Sequence, residues 1–393
     1  MKQYPDFLRL AKGIEHDLIM IRRDIHQNPE LGNEETRTSR LIAENLEKLG
    51  IEVKMGEGGI GVIGSFNVSD NSPVICLRAD MDAIPVQENT GLPYESKVPG
   101  VMHACGHDIH CAVVLGAAEI LSKYGNQLDG GVRFIFQPAE EIDLGAKAML
   151  EQGVLEDPKP IGIFGLHVWP GITLGKVGIQ SGAVMAAIDS FDVTFEGASA
   201  HGAEPHLGHD ALLAASMSVV ALQRIVSRTI NPRDPAVITV GSMKSGAARN
   251  IIADSAYLSA TVRTLDENVR ASIKASVHKT ISGCSDACDV NACIDYTEEL
   301  PVLVNSQEMS DIALESAKRV LGENCITKIE PSMTGDDFAL YAERIPGCYI
   351  FMGVTPHGHE IIPLHNPKFN PDEKVIPAAA AVLAHACWES LRQ

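Results

Sequence analysis

Eight consecutive residues, His103-Ala-Cys-Gly-His-Asp-Ile-His110, hold three imidazoles, one thiol and one carboxylate. Such donors together suit a divalent zinc, manganese, cobalt or nickel ion. Metal chemistry is therefore the first reading of this stretch. The plainer one makes Cys105 a small buried residue and the histidines loop residues. Further candidates follow the same types: Asp80 and Asp82, the pair Glu140-Glu141, His167, and His365 within Pro363-Leu-His-Asn-Pro367. Taken singly, the two aspartates read as a polar turn and His167 as a satisfied core histidine.

The elements that must carry these residues change that weighting. Apolar runs of strand length precede three of the groups: Val74 to Ala79 before Asp80 and Asp82, Gly131 to Gln137 before Glu140 and Glu141, and Ile161 to Leu166 before His167. A parallel sheet brings the carboxyl ends of its strands to one edge, where open α/β sheets bind ligands. Convergence there assembles Cys105, His107, Glu141, His167 and His365 as ligands for one or two ions, with Glu140 as the remaining acid. Neighbouring glutamates point different ways, so one can coordinate while the other serves as general base. A divalent ion acidifies its water and polarises a carbonyl, the combination that hydrolyses amides. The chain has no Gly-x-Ser-x-Gly elbow and no phosphate loop. A Cys105 nucleophile with His107 as its base is the rival chemistry. His103 and His110 are expected to support the site rather than coordinate.

At 393 residues the chain exceeds one comfortable core, so two domains are expected. Helices are predicted over Glu15 to Ile25, Glu34 to Leu49 and Cys111 to Leu121, in a mixed α/β pattern. From about residue 184 the order becomes strand, long helix over Leu207 to Val226, two strands, helix and strand. That is the ferredoxin-like β-α-β-β-α-β order. The expected division is a discontinuous catalytic domain at 1–183 and 299–393, interrupted by a smaller α+β domain at 184–298. After the return, a helix over Gly335 to Tyr341 and a closing helix over Asp372 to Leu391 are predicted.

The formal net charge of −19 works against a broad nucleic-acid footprint or anionic membrane. No apolar run reaches spanning length, so a cytoplasmic protein is expected. Nine cysteines are expected to be reduced thiols. Cys284, Cys288 and Cys293 lack the tight spacing and the histidine of a second metal site.

Arg78-Ala-Asp-Met-Asp-Ala, His103 to His110, Gln137-Pro-Ala-Glu-Glu141, Gly165-Leu-His167, Ser199-Ala-His201 and Pro363-Leu-His365-Asn-Pro-Lys-Phe369 together resemble the metal-dependent amidohydrolases of the aminoacylase and carboxypeptidase-G superfamily. The subgroup they are most similar to comprises hippurate hydrolases, N-acyl-amino-acid deacylases and plant auxin-conjugate hydrolases. The resemblance implies a catalytic α/β domain with a central mixed, largely parallel sheet, and a smaller lid domain that dimerises. It makes Cys105 a ligand bridging two ions, completed by His107, Glu141, His167 and His365, with Glu140 the general base. Asp82 would orient a ligand, His201 would stabilise the oxyanion, and Arg249-Asn250 would hold the substrate carboxylate. An N-acyl amino acid is the implied substrate; a dipeptidase or carboxypeptidase of the same superfamily, or a non-catalytic binding relative, is the alternative. Ala253 and Asp336 depart from the proline and glutamate usual in the family.

Overall fold

Strand Val74–Asp80 is buried along its whole length, as an apolar strand must be when parallel neighbours and helices cover both faces. In the computed structural model, which describes residues 5–392, it lies between Gly131–Gln137 and Gly162–Thr173, both parallel to it. Gly347–Thr355 continues the parallel set on the far side of Gly162–Thr173. Antiparallel strands Val62–Phe66 and Glu52–Met55 close one side. The short Val177–Gly178 and Ile326–Thr327 close the other, giving an eight-stranded mixed sheet.

Helices flank this sheet according to their patterning. Thr36–Lys48 buries one stripe, including Ile42, Ala43 and Leu46, and ends before Gly50, whose φ of 75° is the left-handed conformation that stops a helix. His107–Ser122 and Val375–Ser390 are apolar almost all round and accordingly almost wholly buried. They pack against each other.

The chain divides into two compact units. One runs to Gly182 and resumes over Val304–Glu330 and Asp336–Gln393; the other is Ala183–Leu303 with Pro331–Gly335. The smaller unit has an antiparallel sheet in the order Asn291–Leu300, Ala187–Glu196, Ser255–Thr264, Ala236–Ser245. With helices Ala211–Arg224 and Glu267–Asp286 it has the ferredoxin-like connectivity expected. Phe191, Val193, Phe195, Leu258, Ile273 and Val277 fill its core. Among the described residues, one helical stretch, Ala211–Thr229, is long and apolar enough to cross a membrane by length and composition. Its inner side, with Ala214, Ala215 and Leu222, belongs to that core, while Leu212, Leu213, Met217 and Val220 are exposed.

Three elements depart from the sequence pattern near the candidate site. The helix predicted from Cys111 begins four residues earlier, at His107, because Gly106 with φ 93° turns the chain directly into it. The strand predicted to end at Leu166 runs on to Thr173, held by its parallel pairing with Gly347–Thr355. The helix predicted over Gly335 to Tyr341 is only Ala339–Ala342, since the carboxylates of Asp336 and Asp337 are engaged in other contacts described below.

Candidate metal centre

Register gathers the candidate residues. Asp80 pairs with Gln137, and Arg78 with Gly165. Asp82 and the Glu140–Ile142 turn therefore leave the sheet at the same edge, and His167 lies two residues past Gly165, in step with Asp80. His167 is thus mid-strand rather than at a strand end, yet it stands beyond the last pairing with Val74–Asp80. The His103–Cys105 stretch and the His365 loop are tied together by a hydrogen bond from the His365 N–H to the Ala104 carbonyl, 2.8 Å.

Every side chain read as a ligand is brought to this edge. The Cys105 Sγ lies 3.4 Å from His167 Nε2. His107 Nε2 lies 3.8 Å from Glu141 Oε1 and 3.9 Å from Glu140 Oε2. His365 Nε2 lies 3.2 Å from Glu141 Oε1. Two donor triads share the thiol: Cys105 with His107 and His167, and Cys105 with Glu141 and His365. His365, half exposed, adopts the left-handed region with φ 62°, a cost of order 1–3 kcal/mol that the surrounding structure must offset.

Supporting contacts decide which histidine nitrogens face inward. His107 donates from Nδ1 to Asp82 Oδ1 at 3.2 Å, and His167 donates from Nδ1 to the Val168 carbonyl at 2.7 Å. In the neutral form of each ring these bonds leave Nε2 as the nitrogen with the lone pair, the arrangement that metal-binding histidines use. His107 Nε2 is buried without a hydrogen-bond partner, an uncommon state for a buried polar atom that a bound cation relieves. His110 is different: Nδ1 donates to Asp80 at 2.6 Å and Nε2 accepts from the Val168 N–H at 3.0 Å. Both of its nitrogens are committed. His103 is buried, and neither of its nitrogens has a hydrogen-bond partner.

Electrostatics describe a pocket with excess negative charge. Burial lowers the His107 pKa, but Asp80 and Asp82 outweigh it and bring it to about 10. Burial raises the Cys105 thiol well above its usual range, with Glu141 and Glu140 adding to it. Glu140 is likewise raised, by burial and then by Asp336 and Glu141. Burial also pushes Glu141 upward, but the His365 hydrogen bond and the His107 charge hold it below the ordinary carboxylate value. His167 is pushed down to about 3 by burial and by His110. A divalent cation entering such a pocket must displace protons from His107 and Cys105, so affinity falls in acid.

Behind Glu140 lies a polar hub that the sequence pattern did not disclose. Arg78, fully buried, bonds Asp80 at 2.6 Å, Gln137 at 2.9 Å and Asp337 at 2.8 Å, and lies 3.4 Å from Asp336. Asp337 also accepts from Gln137 Nε2 and from the Ala146 N–H. Tyr349 donates its hydroxyl to Asp336. Carboxylate atoms of Glu140, Asp336 and Asp337 come within 4.8 Å of one another. The adjacent carboxylates of Asp336-Asp337 were the available signal, read instead as the start of a helix.

His201, Arg249 and Asn250 lie in the smaller unit. All three are exposed. His201 pairs with Ile251 in an isolated bridge, and the Gly202 N–H donates to the Asn250 carbonyl at 2.8 Å, so the two loops are neighbours. The Ala203 N–H donates to His201 Nδ1 at 3.1 Å, which occupies that nitrogen as an acceptor and leaves Nε2 as the ring's donor.

Residues 76–389 match Peptidase family M20/M25/M40. The chain is 40 % identical over 370 residues to an N-acetyl-L-cysteine deacetylase of Bacillus subtilis (strain 168), covering 94 % of this chain and 87 % of the relative. It is 38 % identical over 393 residues to a hippurate hydrolase of Campylobacter jejuni, with 100 % of both chains covered. A solved Bacillus subtilis structure, described as a dinuclear metal binding peptidase from the M20 family, matches with TM-score 0.85 and 35 % identity over 97 % of this chain and 99 % of that one. Fold, donor set and relatives define a metal-dependent amidohydrolase. The chain belongs to the M20 peptidase family.

Proposed function

We propose that this enzyme removes the acyl group from the α-nitrogen of an N-acyl amino acid. The observation that carries the reading is His107 Nε2, buried without a hydrogen-bond partner and 3.8 Å from Glu141 Oε1, beside a thiol shared by two donor triads. One or two divalent ions held by Cys105, His107, Glu141, His167 and His365 would supply an acidified water and a polarising charge at the carbonyl. Zinc, manganese, cobalt and nickel all suit these donors. Cys105, common to both triads, would serve there as a thiolate ligand.

The chain's own groups do the proton work. Glu140, raised by burial and by its carboxylate neighbours, takes the proton of the attacking water and returns it to the departing nitrogen. Asp82 keeps His107 in the coordinating tautomer. His201 would offer its Nε2–H to the developing oxyanion, and Arg249 and Asn250 would bind the substrate carboxylate, for which a guanidinium fork is suited. The names of the deacetylase and hippurate hydrolase relatives support acetyl or benzoyl as the acyl group. The smaller unit, Ala183–Leu303 with Pro331–Gly335, would serve as a lid. Self-association through the exposed face bearing Leu212, Leu213, Met217 and Val220 would make a homodimer. Nine free cysteines fit a reducing cytoplasm.

The test is a side-by-side hydrolysis screen of N-acetyl and N-benzoyl amino acids and of free dipeptides, on protein stripped and reloaded with each of the four metals. Turnover of the acylated substrates with dipeptides refused supports the reading. Preference for dipeptides overturns it in favour of a dipeptidase.

A further inference from the structure

We infer that Trp169 is the specificity-determining wall for the acyl half of the substrate and selects a planar, neutral aryl acyl group; this rests on the acyl-amino-acid reading above. Parallel pairing sets Gly165 against Tyr349, His167 against Phe351 and Trp169 against Gly353. Because a strand's side chains alternate, His167 and Trp169 share a face with Tyr349 and Phe351. The four rings form one patch: His167 to Trp169 5.8 Å, Trp169 to Phe351 4.8 Å at 74°, and Tyr349 to Phe351 5.8 Å between centroids.

Within this patch burial is uneven. Phe351 and Tyr349 are closed off, whereas Trp169 is only half-buried. Gly171 adds no cover: a Cβ there would lie 3.6 Å from the indole Cδ1 and Nε1, so its absence leaves that side open. Phe351 fixes the ring from behind through an edge contact. The result is a rigid aromatic surface, still partly wet, one alternate position along the strand from a side chain whose Nε2 faces Cys105 at 3.4 Å. Burying such a surface against a flat apolar group is favourable, and offset or edge contacts between rings add to the area term.

Charge decides which half of the substrate it meets. Glu140 and Glu141 present carboxylates beside His107 Nε2 at the centre, and the indole carries no cation to receive a substrate carboxylate. The neutral acyl group is the half that gains by lying there.

The experiment measures kcat/KM for the N-benzoyl and N-acetyl derivatives of one amino acid with wild type, Trp169→Ala and Trp169→Phe. Trp169→Ala should lower the benzoyl-to-acetyl ratio by ~10-fold or more, through KM with kcat nearly unchanged, and Trp169→Phe should restore most of it. In a Glu140→Gln background, an N-(4-nitrobenzoyl) amino acid should quench indole emission, and the added Trp169→Phe change should remove that quenching, with Trp388 as constant background. An unaltered ratio in Trp169→Ala, or undiminished quenching in the Trp169→Phe protein, overturns the inference while leaving the acyl-amino-acid reading in place. If wild type hydrolyses neither derivative, that reading falls and this inference with it.

Discussion

Asp82 binds His107 through one carboxylate oxygen and the Glu141 main chain through the other: Oδ1 accepts from His107 Nδ1 at 3.2 Å, and Oδ2 accepts from the Glu141 N–H at 3.0 Å. One buried side chain therefore sets the spacing of two donors that come from a helix entrance and a strand exit. Asn at this position keeps one acceptor oxygen and turns an amide donor towards the other N–H. Asp82→Asn should weaken metal binding ~10- to 100-fold, the usual cost of losing a partner behind a metal-binding histidine. Metal content after dialysis against graded chelator checks this, and retention equal to wild type would sink the role.

Adjacent glutamates are assigned different work, and two variants separate binding from chemistry. Glu140→Gln should lower kcat by ~10²-fold or more with metal content unchanged, because the base is lost and the donor triads through Cys105 stay intact. Cys105→Ala should release metal on dialysis, since both triads contain its sulfur. Full turnover in the first variant removes Glu140 as base. A full metal complement in the second removes Cys105 from the ligand set.

Much of this site is legible because several of its groups follow apolar runs that are visible in sequence. Asp80, Glu140 and Glu141 lie where strand periodicity ends. The extended course through His167 was not visible, because the strand that holds it, Gly347–Thr355, comes from far along the chain. Nor was the helix start at His107: polar residues after a glycine read as loop, and only the φ of 93° at Gly106 shows the turn into the helix. A side chain on Gly106 would meet Val168 Cγ2 at 2.4 Å, a tertiary contact no local pattern contains. Arg78 gave no hint of its partners for the same reason, since Asp336 and Asp337 lie more than 250 residues away in sequence.

Arg78 bonds Asp80 and Asp337 and neighbours Asp336, all buried. Removing a cation from such a cluster leaves uncompensated buried carboxylates, at about 3–5 kcal/mol. Arg78→Met should lower the unfolding free energy by that order, and Arg78→Lys should lower it less while failing to serve all the acceptors, because an ammonium lacks the planar fork. Urea denaturation followed by circular dichroism measures both. Stability of Arg78→Met within ~1 kcal/mol of wild type would contradict the hub.

Glu35 supplies a prediction in pH. Its carboxyl is buried and raised from 4.5 to about 7, chiefly by burial, against the hydrogen bonds that it accepts. Oε1 accepts from the Ala139 N–H at 2.7 Å, while Oε2 has no partner. Ala139, with φ 53°, is the left-handed residue that turns the chain into Glu140. In the folded state the group keeps its proton up to about pH 7, whereas the unfolded chain loses it near 4.5. Between those values the folded state binds more protons, so stability falls as pH rises through the window and levels off above it. The loss is about 3 kcal/mol at most, since each pH unit crossed in that window costs ~1.4 kcal/mol. Glutamine keeps the acceptor for Ala139 and cannot ionise. Glu35→Gln should therefore be more stable than wild type at pH 8, with the difference shrinking towards zero by pH 4.5. Denaturation midpoints across that range measure it, and a gap that stays constant with pH would show that Glu35 does not keep its proton when folded.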